Sequence, residues 1–83
     1  MSNSAAVDIA ERFFIAFEAL KQTGKIRIYQ DFFDAYGIDR GMFYKVKRDH
    51  ESNLFRVAWL AHLVNDFGVN PEWLMTGKGK MFR

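Results

Sequence analysis

The sequence predicts an all-α protein: one compact domain of five helices, with the second and third forming a helix-turn-helix. Three observations predict it. Apolar residues recur at helical spacing in successive segments, the repeat of a helix with one face turned inward. Gly24, Gly37, Gly68 and Gly77 stand just past those segments, where helices end. No segment alternates apolar and polar residues cleanly. The stretch KIRIYQ, Lys25 to Gln30, comes nearest and is too short to build a sheet alone.

The first helix is expected from Ser4 to Gln22, with Ile9, Phe13, Phe17 and Leu20 on its inner face and Phe14 and Ala16 beside them. The second runs from Tyr29 to Tyr36 on Phe32, Phe33 and Tyr36; Ile28 before it offers no side-chain acceptor and is a poor cap. The third follows Asp39, whose carboxylate can take the free N–H groups of the first turn, and runs to about Arg48. Ile38 before this cap and Phe43 within the helix match a hydrophobic staple. The fourth is expected from Leu54 to Phe67, capped by Ser52 or Asn53. Leu54, Val57, Ala58, Ala61 and Val64 form its stripe, Trp59, Leu60, Leu63 and Phe67 widen it, and it should be the most buried of the five. The fifth is short, with Asn70 as cap, Pro71 in the first position, Trp73 and Leu74 as anchors, and Gly77 as terminator. Residues 77–83 are expected as a flexible basic tail.

At 83 residues the chain is one domain, long enough to fold alone but with a small core. Apolar residues make up 49% of it, the composition of a folded chain. There is no cysteine, hence no disulfide framework and no thiolate metal site. No apolar run approaches a membrane span, and MSNSAAVDIAERFF lacks the basic and apolar regions of a signal peptide. A cytoplasmic protein is the simplest expectation.

Net charge is only +2, but it is unevenly spread. Residues 25–48 sum to +3, from Lys25, Arg27, Arg40, Lys45, Lys47 and Arg48 against Asp31, Asp34 and Asp39. Residues 77–83 also sum to +3, whereas 1–24 sum to −1 and 49–76 to −3. Such asymmetry points to an anionic partner.

The third helix concentrates this charge: RGMFYKVKR holds four cations and no carboxylate. At about 100° per residue, Met42, Phe43 and Val46 fall on one side. Arg40, Gly41, Tyr44, Lys45 and Arg48 fall on the other, with Lys47 on the flank. Such a face suits double-stranded DNA. The major groove admits one helix, and its base edges offer acceptors to Arg and Lys. Arg40 sits in the first turn, where a recognition helix meets bases. Tyr44 can reach a phosphate or a thymine methyl, and Lys45, Lys47 and Arg48 suit phosphates. Gly41 costs the helix on the order of 1 kcal/mol against alanine, which close approach of a backbone or phosphate would explain.

Enzyme chemistry finds no support. No Ser/His/Asp set can be assembled, and no catalytic residue, metal ligand or cofactor is expected. His50 is expected as a solvated loop residue and His62 as a boundary residue of the fourth helix. GKGK at Gly77 to Lys80 lacks the spacing of a phosphate-binding loop.

The order of helices resembles the lambda-repressor-like helix-turn-helix domain of phage and bacterial regulators, over about residues 8–82. FGVNPEWLMTGKGKMF, Phe67 to Phe82, is its most specific part; many small repressors of this type end in a similar run. Gly37 matches the turn glycine. The resemblance implies a sequence-specific DNA-binding transcriptional regulator of the phage or mobile-element repressor type. Its contacts would be Tyr29 and Gln30, then Arg40, Gly41, Tyr44 and Lys45, with Arg48 at the backbone. Three positions depart from the family: Phe33 stands where a small residue is usual, and Ile28 and Tyr29 stand where a Ser or Thr cap and a Gln are usual. Phe33 implies a wider helix crossing or a rearranged core. Because the sequence stops at Arg83, a homodimer is expected to use the domain itself, through Trp73, Met75, Met81 and Phe82. The alternative is a protein-interaction module on the same fold, using Tyr29, Phe33, Tyr44 and the tail as its surface.

Overall fold

The computed structural model describes residues 4–83. The helices are α1 (Ser4–Gln22), α2 (Tyr29–Tyr36), α3 (Arg40–Arg48), α4 (Val57–Phe67) and α5 (Pro71–Thr76). The described residues contain no strand; Lys25 to Gln30 is turn and helix start, and a single antiparallel bridge joins Val69 to Phe82. No described helix is long and apolar enough to cross a membrane.

α1 is the spine. Ala10, Phe13, Ala16, Phe17 and Leu20 repeat at helical spacing, and all five are fully buried. The helix packs along α4 and α5. Arg12 Nε donates to the Leu74 carbonyl at 2.8 Å, satisfying one of the free carbonyls in the last turn of α5.

The core is aromatic. The Phe13 ring lies 4.9–6.5 Å from the rings of Phe14, Phe17, Phe32, Phe43, Phe55 and Trp59. Such edge and tilted pairs add to the area that each ring buries. With the sequence's nine Phe residues, most of the apolar bulk of a short chain goes into one contiguous cluster.

α4 departs from expectation twice. It begins at Val57 rather than Leu54, after Arg56 in extended backbone and with no side-chain cap. The expected cap Ser52 instead accepts the Leu54 N–H at 3.3 Å, and Asp49 accepts that of Glu51 at 3.1 Å. Both acceptors thus close loop turns, a competition typical of such residues. Phe55 then stands ahead of the helix with its ring 5.5 Å from Phe13 and 5.3 Å from Trp59. The buried face is also different: Trp59, Leu60 and Leu63 are inside, while Val57 is 77% exposed and Ala58 and Ala61 face out. Burial scales with apolar area, and Trp, Leu and Leu outweigh Val, Ala and Ala. α1, not α4, is the most buried helix.

The last residues fold back, where a flexible tail was expected. Asn70 holds them: its N–H donates to the Met81 carbonyl at 2.8 Å and its Nδ2 to that of Lys80 at 2.9 Å. Its Oδ1 accepts the Glu72 N–H at 3.0 Å, capping α5 as predicted. Arg83 N–H donates to the Gly68 carbonyl at 2.9 Å. Val69 is wholly buried beneath this strap.

Candidate nucleic-acid interface

The α2–α3 turn is built by local chemistry. Gly37 takes φ 64°, a left-handed conformation that costs glycine nothing, and its N–H closes α2 on the Phe33 carbonyl. The Ile38 N–H donates to the same carbonyl at 3.0 Å. Asp39 Oδ1 then accepts the Met42 N–H at 2.9 Å and opens α3. Ile38 is half-buried against the core, as a staple residue should be.

Phe43 and Val46 dock α3 by wholly buried side chains, and Met42 is half-buried beside them. The opposite face stands out in solvent: Arg40, Gly41, Lys45, Lys47 and Arg48 are all exposed, and Tyr44 is half-buried. The charges on this face are unspent. The one ion pair among the described residues is Arg27–Asp31, at 3.2 Å on the side of α2. The other two carboxylates of the segment are also occupied, Asp34 by Gln30 Nε2 at 2.8 Å and Asp39 by its cap. α3 therefore offers four cations with no local counter-charge bound to them.

Phe33 is 3% exposed, with its ring at 4.9 Å from Phe43 and 5.7 Å from Tyr44. Its bulk is absorbed as a layer of rings between α2 and α3, which answers the departure noted in the sequence. Buried there, it offers no surface to a protein partner.

Tyr29 does not present its hydroxyl. The ring stacks on Phe17 at 5.2 Å and meets Tyr44 edge-on at 5.6 Å, and the hydroxyl donates to the Glu18 carboxylate of α1. Burial first, then that carboxylate, hold the phenol well above its ordinary pKa. Gln30 is exposed but bound to Asp34, so it would have to turn to meet a ligand. The Tyr44 hydroxyl has no hydrogen-bond partner among the described residues.

Tyr36 mirrors Tyr29 at the far end of α2. Its hydroxyl donates to Asp66 of α4 at 2.5 Å, and its ring stacks on His62 at 3.8 Å. α2 lacks a side-chain cap but is bolted at its first residue to α1 and at its last to α4. These bolts fix the scaffold that carries α3. Sequence reasoning missed them; the available signal was a Tyr at each end of an apolar helix face, since a packed Tyr needs a partner for its hydroxyl.

Burial, with Asp66 second, pushes the Tyr36 phenol up from 10.0 to about 12. A raised phenol pKa means that folding favours the neutral form. Its contribution is complete below the unfolded value of 10.0 and is lost as pH rises towards about 12. The urea midpoint should therefore fall as pH rises above about 10, and Tyr36→Phe should lessen that fall without abolishing it, because the raised Tyr29 phenol contributes the rest. An identical alkaline profile in the variant would remove Tyr36 as the source.

Gly41 has a local cause that the sequence did not show. A Cβ there would stand 3.3 Å from Asp39 Oδ1, the cap of its own helix. Asp39 Oδ1 is held there by the Met42 N–H, so the cap itself must give by a few tenths of an ångström. Gly41→Ala should therefore raise stability by less than the ~1 kcal/mol that helix propensity alone would give. If the glycine also admits a close ligand backbone, the same variant weakens DNA binding; a thermal melt and a titration separate the two effects.

His50 is not solvated as expected: its ring stacks on Phe14 at 5.4 Å. No group of three His, Asp or Glu able to hold a metal occurs among the described residues. Of the residues expected in a dimer contact, Met75 is 53% exposed, Trp73 is half-buried, and Met81 and Phe82 are half-buried in the strap. Met75 instead joins Val57 at an apolar groove of about 360 Å³ lined by Ala6, Ile9, Ala61 and Pro71. No family model, curated protein or solved structure matches this chain.

Proposed function

We propose that this chain is a sequence-specific double-stranded DNA-binding regulator of the lambda-repressor-like helix-turn-helix kind, with α3 lying in the major groove. The observation that carries the reading is the exposed cationic face of α3 (Arg40, Lys45, Lys47, Arg48), which has no ion pair among the described residues. Arg40, in the first turn, reads base edges; Lys45, Lys47 and Arg48 hold phosphates. Titration of the protein against duplex DNA from around its own gene, at several salt concentrations, tests it. Three phosphate-holding cations predict a slope of log affinity against log salt of about −3 per copy from α3. Binding that does not change with salt would overturn the reading.

The regulator acts as a homodimer, with a second copy of the chain on the α1–α4–α5 groove. Among the described residues, two of the four exposed large hydrophobic ones, Val57 and Met75, line this one groove. Its flanks carry opposite charges, Arg56 before Val57 and Glu72 after Pro71. A two-fold contact sets unlike positions of the two copies against each other, which suits such a pair. Sedimentation of the wild type should show dimers, and Met75→Glu should give monomers with unchanged helicity. A wild type that stays monomeric at every concentration would overturn the dimer and leave the groove without a second copy of the chain.

A further inference from the structure

Two lysines from different helices converge on one ring. Lys21 Nζ, at the end of α1, stands 4.2 Å from the centroid of Tyr29, and Lys47 Nζ, of α3, stands 5.9 Å from the same centroid. The two ammonium groups are therefore no farther apart than those two distances together. Neither forms an ion pair among the described residues. Glu18, one turn before Lys21, binds the Tyr29 hydroxyl instead.

We propose that Lys21 and Lys47, both held on the ring of Tyr29, form a phosphate clamp that grips the sugar-phosphate backbone beside the contacts of α3, with Tyr29 as its positioning residue. The inference rests on the DNA-binding reading and adds α1 to the interface. One strand carries a phosphate every ~3.4 Å of rise, so two ammonium groups gathered around one ring can meet the same stretch of backbone. A lysine loses much rotamer entropy when fixed on a ligand. An ammonium already resting on a π face has lost part of it beforehand, and a ring shared by two helices sets the spacing of the pair. The clamp reads no base. It anchors the end of α3 opposite to Arg40 and so sets the angle at which the helix enters the groove.

The test is the salt dependence of binding to a mixed-sequence duplex, measured for the wild type, Lys21→Gln, Lys21→Arg, Tyr29→Phe and Tyr29→Leu. Lys21→Gln should lower the slope by about 1 and the affinity roughly tenfold near 0.1 M salt, alike on every sequence. Lys21→Arg should restore both, and Tyr29→Phe, which keeps the ring but releases Glu18 to Lys21, should lower the slope less than Tyr29→Leu does. Tyr29→Leu should lower the slope, and adding Lys21→Gln to it should cost less than the two changes measured separately. If Tyr29→Leu does not fold, Lys21→Gln and Lys21→Arg still decide. A wild-type slope in Lys21→Gln, while Arg40→Glu weakens binding, overturns the clamp and leaves the DNA reading standing. A wild type with no salt-dependent binding to duplex overturns both.

Discussion

Phe43→Ala should lower the stability of the domain by about 3–5 kcal/mol, the usual cost of removing a buried phenylalanine ring. The side chain is wholly buried and is the anchor of α3. Its ring lies 4.9 Å from Phe33, 5.2 Å from Trp59, 5.3 Å from Phe14 and 5.4 Å from Phe17, so one truncation strips contacts from α1, α2 and α4 together. Collapse into the space is hindered because these neighbours are rigid rings that also pack on one another. A domain of this size has a total stability of roughly 4–12 kcal/mol, so the change removes a large share of it. The thermal midpoint should fall by on the order of 20 °C. Asn65→Gln is the paired control: Asn65 is exposed on α4, and its replacement should change stability by less than about 0.5 kcal/mol. A fall of only a few degrees in Phe43→Ala, or a large one in Asn65→Gln, would overturn the packing described here. The variant also bears on function, since the ring that holds α3 in the core is what points Arg40 and Lys45 outward.

The features legible in the sequence are those written in neighbouring residues. Asp39 before RGMFYKVKR, Asn70-Pro71 before EWLMT, and Gly37 after QDFFDAY each fix a helix end within a few positions, and the structure has those ends. The outward face of α3 was legible for the same reason, because helical rotation alone separates Phe43 and Val46 from Arg40 and Lys45. The start of α4 was not, because it is decided by Phe55 and Trp59 converging on Phe13, more than forty residues earlier in the chain. The anchoring of Tyr29 is not legible in the sequence because its partners are distant: Glu18 lies on α1 and Lys47 on α3. Asn70 was read correctly as a cap, but its amide also holds Lys80, and one residue serving two segments leaves no periodic trace. Pairwise contacts across the core, rather than local propensity, separate the expected protein from the observed one.

Arg40→Glu/Lys45→Glu should abolish specific duplex binding and leave the fold intact. Both side chains are exposed, and neither has an ion pair or hydrogen bond among the described residues, so reversing them breaks nothing within the domain. Surface changes of this kind alter stability by about 0.5 kcal/mol or less, and the melting curve should overlay that of the wild type. On DNA the effect is large. A base contact by Arg is worth ~1–3 kcal/mol, and each reversed charge both loses a phosphate or base partner and adds a repulsion. The combined loss should reach at least about 100-fold at moderate salt, with a slope in salt shallower by about 1, the share of Lys45. Position separates the two changes further. Lys45→Glu alone should weaken binding to all duplexes alike, whereas Arg40→Glu should fall hardest on the preferred fragment and narrow its advantage over mixed sequence. Equal binding by the double variant and the wild type would mean that the outer face of α3 does not meet DNA. The free charges of that face would then need another anionic partner, and the groove between Val57 and Met75 would become the first surface to probe for a protein.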